Sequence, residues 1–200
     1  MIIPLSPSEA PAASARCWAT LSPEAKCERL LTAAGEVFAV RGLEAPMSEV
    51  AAAAGSGMSS VYRRFESKHE LLAALVVRRQ EQVAAAARTA QESPGDRWSA
   101  LRTMLRSLVE GQSADTFMGE ARARVADHPD VQAATERTAA ALEALLAAAR
   151  AEGRLRADAT TLDLRLLFAA TRAAKQVEPG QWARMLELML DALEARPPRP

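Results

Sequence analysis

Ala54-Gly55-Ser56-Gly57-Met58-Ser59-Ser60-Val61-Tyr62-Arg63-Arg64-Phe65-Glu66-Ser67-Lys68-His69-Glu70-Leu71-Leu72 is the stretch on which the reading of the chain turns. Its Gly55-Ser56-Gly57 break separates a short helical segment at Met47 to Ala54 from another at Met58 to about Arg64. Two short helices joined by a tight glycine turn are the outline of a helix-turn-helix. A helix that enters a DNA groove needs small or polar side chains at its leading end, and Gly57, Met58, Ser59 and Ser60 supply them. Val61 and Phe65, four apart, share the inward face, which puts Tyr62 on another side. Arg63, Arg64 and Lys68 concentrate positive charge, opposed nearby by Glu66. Ser67 and Glu70 have the spacing of a capping box, so a new helix starts at Lys68, whose position at a helix N-terminus suits a phosphate contact.

Upstream, Ser22-Pro23-Glu24 gives a cap hydroxyl, a proline at the first helical position and a carboxylate at the positive helix end. Cys27, Leu30, Leu31, Ala34, Val37 and Phe38 repeat at three and four before Gly42, which predicts a helix over 23–41. Residues 1–21, with three prolines and several serines, read as a flexible arm. Downstream, the helix from Lys68 runs to about Gln91 and breaks at Ser93-Pro94-Gly95. A helix with Trp98, Leu101, Leu105, Leu108 and Val109 follows, then a break at 111–113 and a short helix over about 114–126. Asp127-His128-Pro129 opens an alanine-rich helix to Gly153. Thr160 to Asp163 and Glu178-Pro179-Gly180 mark the last two helices, and residues 197–200 read as a frayed tail. The expectation is an all-α chain of about nine helices, with a three-helix helix-turn-helix domain over 22–69 and a second helical domain over 70–196.

Composition agrees. Hydrophobic residues make up 49% but aromatics only 4%, so alanine and leucine dominate, as helices prefer. With 25 basic and 25 acidic residues, net charge is zero, and any nucleic-acid contact must come from a local patch. Cys17 and Cys27 suit neither a zinc site nor a CxxC pair and read as free thiols of a reducing compartment. There is no apolar run of membrane-spanning length and no export signal pattern, so a cytoplasmic protein without a membrane partner is expected. Enzyme chemistry finds little to work with. Glu66-Ser67-Lys68-His69 has the Glu-x-x-His spacing of di-iron bundles, but these need the motif twice, and the chain has two histidines. No phosphate loop, GxSxG elbow or HExxH occurs, and no metal or cofactor is expected.

Taken with Leu31-Thr32-Ala33-Ala34-Gly35-Glu36-Val37-Phe38-Ala39-Val40-Arg41-Gly42-Leu43, the motif resembles the TetR family. It shares the first helix ending in Phe then Gly, the Ala-Gly turn, the Tyr-x-x-Phe, and the Ser-Lys opening the next helix, in order over about 50 residues. The resemblance implies a transcriptional regulator, a repressor released from double-stranded operator DNA by a small-molecule inducer, acting as a homodimer. It places Ser48, Gly57, Met58, Ser59, Ser60, Tyr62, Arg63, Arg64 and Lys68 at the DNA, with the Tyr62 hydroxyl on a phosphate. Tyr62 also reads as a core-edge aromatic, and the cations as solvated charges. The chain departs from the family where Ala45-Pro46-Met47 replaces a threonine-rich helix entry, leaving Ser48 for that polar contact. It departs again at Ser56, usually apolar, and at Met58, which reads bases by apolar contact, for instance with a thymine methyl. An unusual operator is expected.

The resemblance gives the remaining chain an inducer pocket and a dimer interface. Trp98, Met104, Phe117, Met118 and Phe168 are the pocket candidates, although Met and aromatic residues at helical spacing are more often core than pocket. Arg122 and Arg124 suit either an acidic ligand or solvent. For the interface, Leu164, Leu167, Trp182, Met185, Leu186, Met189, Leu190 and Leu193 are expected, because the last helix carries a wider apolar face than one neighbour buries. Inducer binding is expected to act through the helix from Lys68 by shifting the population of two spacings of the N-terminal domains. The rival to all this is a helical dimeric interaction protein that has lost specific DNA binding.

Overall fold

The computed structural model describes residues 18–110, 117–178 and 180–195. Cys17, most of the expected arm, the break at 111–113, the expected start of a helix at 114 and the tail at 197–200 lie outside them. The described residues form nine helices: α1 Pro23–Arg41, α2 Met47–Ala54, α3 Met58–Arg64, α4 Lys68–Glu92, α5 Arg97–Glu110, α6 Met118–Arg124, α7 Pro129–Ala151, α8 Thr161–Val177 and α9 Trp182–Leu193. They make two compact units, one of residues up to Val76 with Phe117–Ala126, the other of Val77 onward without that segment. The all-α expectation holds.

In the first unit the helix ends follow from the caps. The amide of Ala25 donates to Ser22 Oγ at 3.2 Å, and Gly42 takes φ 74°, where a side chain would be strained. Its own backbone amide, and after it the Ser22 hydroxyl, hold the Glu24 carboxyl below its usual range. Gly55, at φ 64° and ψ 34°, closes α2 in the left-handed conformation. The Glu70 amide donates to Ser67 Oγ at 3.2 Å at the start of α4. Leu30, Leu31 and Phe38 of α1, Val50 and Ala54 of α2, Val61, Phe65, and Leu71 and Leu75 of α4 are all buried. Each large side chain so buried contributes about 1.5–3 kcal/mol. Trp18, inside the expected arm, is buried too, and Leu21 N–H bonds its carbonyl at 3.3 Å.

Helix α6 belongs to this unit although it lies far along the chain. Phe117, just before it, meets Phe38 edge to face, centroids 5.9 Å apart. Arg124 bonds Glu44 at 2.6 Å and Glu120 at 2.7 Å. The described helix ends at Arg124, before the 126 expected.

The second unit is a helical core of Trp98, Leu101, Leu105, Leu142, Leu145, Leu146, Leu164, Leu167, Leu186 and Leu190. Helix α7 ends at Ala151, two residues before a left-handed Gly153 at φ 69°. Thr160 and Asp163 form a full capping box at α8. A bridge between Leu155 and Glu194 ties the link before α8 to the end of α9. Glu187 of α9 accepts from Arg106 at 2.6 and 2.7 Å and from Arg102 at 2.7 Å. These guanidiniums hold its carboxyl at about 2. Among the described residues no helix is long and apolar enough to cross a membrane.

Candidate nucleic-acid interface

Helix α3 sits on Val61, fully buried, and on Phe65 at its C-terminal end. Met58 lies toward the same side, and the rest of the helix faces away. Gly57, Ser59, Tyr62, Arg63 and Arg64 are exposed, Tyr62 by 51%, and Met58 and Ser60 are half-buried. The turn before it is fixed by Gly55 and by the Ser56 amide, which donates to the Ala51 carbonyl at 2.9 Å. Because α2 turns Met47, Val50, Ala51 and Ala54 into the core, α3 is held by α2 and by its own two apolar residues. Its outward groups take no part in that packing.

The cations differ in their surroundings. The Arg64 guanidinium lies 5.6 Å from the Phe65 ring centroid, and the Lys68 amine 5.7 Å from that of Phe38, beside the Glu44 carboxylate. Lys68 is half-buried at the head of the 25-residue α4. Arg63 is exposed and has no partner among the described residues. Ser48 is exposed on the first turn of α2. Pro46 is the N-cap there and gives no side-chain cap, while Met47 is buried. The departure at residues 45–47 therefore replaces a polar helix entry with core packing. All nine sequence-derived DNA residues fall in the first unit.

The pocket candidates separate. Trp98, Met104 and Phe168 pack in or against the core of the second unit, whereas Phe117 and Met118 belong to the first, with Phe117 engaged by Phe38. The Trp98 Nε1–H is buried and, among the described residues, has no acceptor. Arg124 is taken up by Glu44 and Glu120.

The eight interface candidates divide as well. Leu164, Leu167, Leu186 and Leu190 are at most 1% exposed and are consumed by the chain's own core, and Trp182, Met189 and Leu193 pack partly against it. Met185 stays exposed, joined by Leu188 of α9 and by Leu162 and Leu166 of α8, each more than half exposed. Leu162 and Leu166 were not among the eight candidates. Their signal is leucines on opposite faces of α8, 162 and 166 against 164 and 167.

Residues 30–75 match the family described as bacterial regulatory proteins, tetR family, and residues 93–195 match that of the transcriptional regulator SbtR-like C-terminal domain. A TetR transcription regulatory protein from Mycobacterium vanbaalenii is 30% identical over 94% of this chain and all of that one, with a TM-score of 0.58. The chain belongs to the TetR family. A TetR regulator from Streptomyces coelicolor is 25% identical, covering 86% of this chain and 99% of that one, with a TM-score of 0.67. A TetR-family regulator from Agrobacterium tumefaciens, 19% identical over 87% of this chain and all of that one, shares the fold at a TM-score of 0.67. No curated protein sequence matches the chain. As a TetR-family member the protein is a DNA-binding transcription regulator, and the family consists of regulators rather than enzymes.

Proposed function

We propose that the protein is a homodimeric, cytoplasmic repressor that binds a palindromic operator through α2, α3 and the start of α4 and leaves it when a small molecule binds the second helical unit. The observation that carries the DNA contact is the outward face of α3. Hydroxyls, a phenol and two guanidiniums are exposed on a helix seated by Val61 and by Phe65 at its end. The whole chain is neutral, so this local charge supplies the electrostatic attraction that the composition lacks. Ser48, Gly57, Ser60, Tyr62, Arg64 and Lys68 serve phosphates and sugars, and Ser59 and Arg63 face bases.

The dimer is proposed from the exposed leucines of α8 and α9. Leu162, Leu166, Met185 and Leu188 form apolar surface on two helices that pack on each other, and covering it with its own copy produces the two-fold symmetry a palindrome demands. For the inducer, Trp98, Met104 and Phe168 are the proposed lining. The buried Trp98 N–H offers one hydrogen-bond donor to an acceptor on the ligand. Phe117 and Met118 act on the DNA-binding side.

Selection of bound sequences from random duplex DNA, followed by gel shift at two salt concentrations, tests this reading. The expected product is an inverted repeat with half-sites about one helical turn apart, bound less tightly as salt rises. Enrichment of no sequence would overturn it.

A further inference from the structure

Resting on the proposed role of α3, we infer that Arg63 is the specificity-determining residue of this regulator and that it reads a guanine in each operator half-site. The argument begins with where the helix turns its side chains. At about 100° per residue, Arg63 lies about 180° from the inward direction midway between Val61 and Phe65. Tyr62 and Arg64 lie about 80° from that direction on either side, and Met58 only about 40° from it. A helix lying in the major groove meets base edges with its outermost face and the two phosphate walls with its flanks. Arg63 is on the outermost face, with Ser59 one turn before it, and Tyr62 and Arg64 are on the flanks.

Chemistry separates Arg63 from its neighbours further. Arg64 leans on the Phe65 ring, and Lys68 leans on Phe38 beside Glu44. Of the three cations between residues 45 and 68, Arg63 is the one without a described partner, so its planar fork of donors is free for a base. The base whose major-groove edge presents two acceptors to such a fork is guanine, through O6 and N7. Ser59, short and hydroxylic, leaves room for that approach and does not compete for it. Met58 is half-buried and close to the inward side, so its thioether is less well placed for a thymine methyl than the guanidinium is for a guanine.

The test uses the full-length protein and the operator recovered by selection. Each guanine of the half-sites is replaced in turn by 7-deazaguanine, which keeps base pairing but lacks N7. The wild-type protein should show one guanine per half-site whose replacement weakens binding about tenfold or more. Arg63→Ala should bind the unmodified operator correspondingly less tightly and lose all sensitivity to that replacement, and Arg63→Lys, which lacks the planar fork, should restore it only in part. Arg63 is exposed, so helical content and melting of both variants should match the wild type. The inference is overturned if no guanine is sensitive, or if Arg63→Ala keeps the sensitivity. It is also overturned if Arg63→Ala weakens all DNA alike and lowers the salt dependence by about one counterion, the mark of a phosphate contact. A wild-type protein that selects no operator overturns the DNA-binding role of α3 itself, which is a distinguishable failure.

Discussion

Helix α3 buries Val61 and sets Phe65 directly behind it, and it turns hydroxyls and guanidiniums outward; α9 buries Leu186 and Leu190 and turns Met185 and Leu188 outward. The inward device is the same, two apolar residues four apart. The outward chemistry is opposite. Exposed guanidiniums over a fixed apolar seat fit a polyanion, while exposed leucines over a fixed apolar seat fit another apolar surface. In the function proposed, the contacts are made by what each helix has left over after packing, and inward and outward residues should respond differently to substitution.

The largest effect should come from the inward side. Phe38→Ala removes a ring that is 1% exposed and that meets Phe117 edge to face. It should destabilise the first unit by about 3–5 kcal/mol in denaturant unfolding. An unchanged midpoint would break the comparison, because the seat would not matter. On the outward side of α8 and α9, Leu166→Glu combined with Leu188→Glu should leave helical content intact and weaken self-association by about tenfold or more in sedimentation. Leu186→Glu, next to Met185 in sequence but turned inward, should instead unfold the second unit. If the two constructions behaved alike, exposure would not distinguish interface from core.

Smaller effects sharpen the contrast at helix ends. Ser22→Ala should cost about 1 kcal/mol, and Pro46→Ser, which supplies α2 with the side-chain cap it lacks, should gain up to about 1 kcal/mol in thermal melting. The smallest expected effect concerns Glu187. Its folded pKa, held at about 2 by Arg106 and Arg102, lies below the ordinary 4.5. Its ion pairs therefore contribute fully above about pH 4.5, and the contribution is lost as pH falls from there toward 2. The side chain is 37% exposed, so solvent screening limits this to about 1 kcal/mol. Glu187→Gln should flatten that part of the stability profile; a profile unchanged by the substitution would remove the pair from the account.

Local signals were read well. The bounds of α1 followed from Ser22, Pro23 and Gly42, and those of α2 and α3 from the Gly55-Ser56-Gly57 break, because caps and glycine turns act within a few residues. The outward face of α3 was legible for the same reason, since Val61 and Phe65 set its inward side by spacing alone. What failed to show is long-range. The place of α6 rests on Phe38 with Phe117 and Glu44 with Arg124, pairs about eighty residues apart in sequence, which no local pattern announces. The apolar stripe of α9 showed which positions are hydrophobic but not that Leu186 and Leu190 are taken up by the chain's own core. Trp18, in a proline-rich stretch without helical period, gave no sign of being buried.

The most direct test of the central claim is the dissociation constant of the selected operator, measured against scrambled DNA of the same length at two salt concentrations, for the wild type, Tyr62→Ala and Lys68→Ala. The account predicts a wild-type preference of about a thousandfold or more. It predicts weaker operator binding in both variants, and a shallower salt dependence in Lys68→Ala, with folding and oligomeric state retained. Operator affinity in both variants equal to that of the wild type would contradict it.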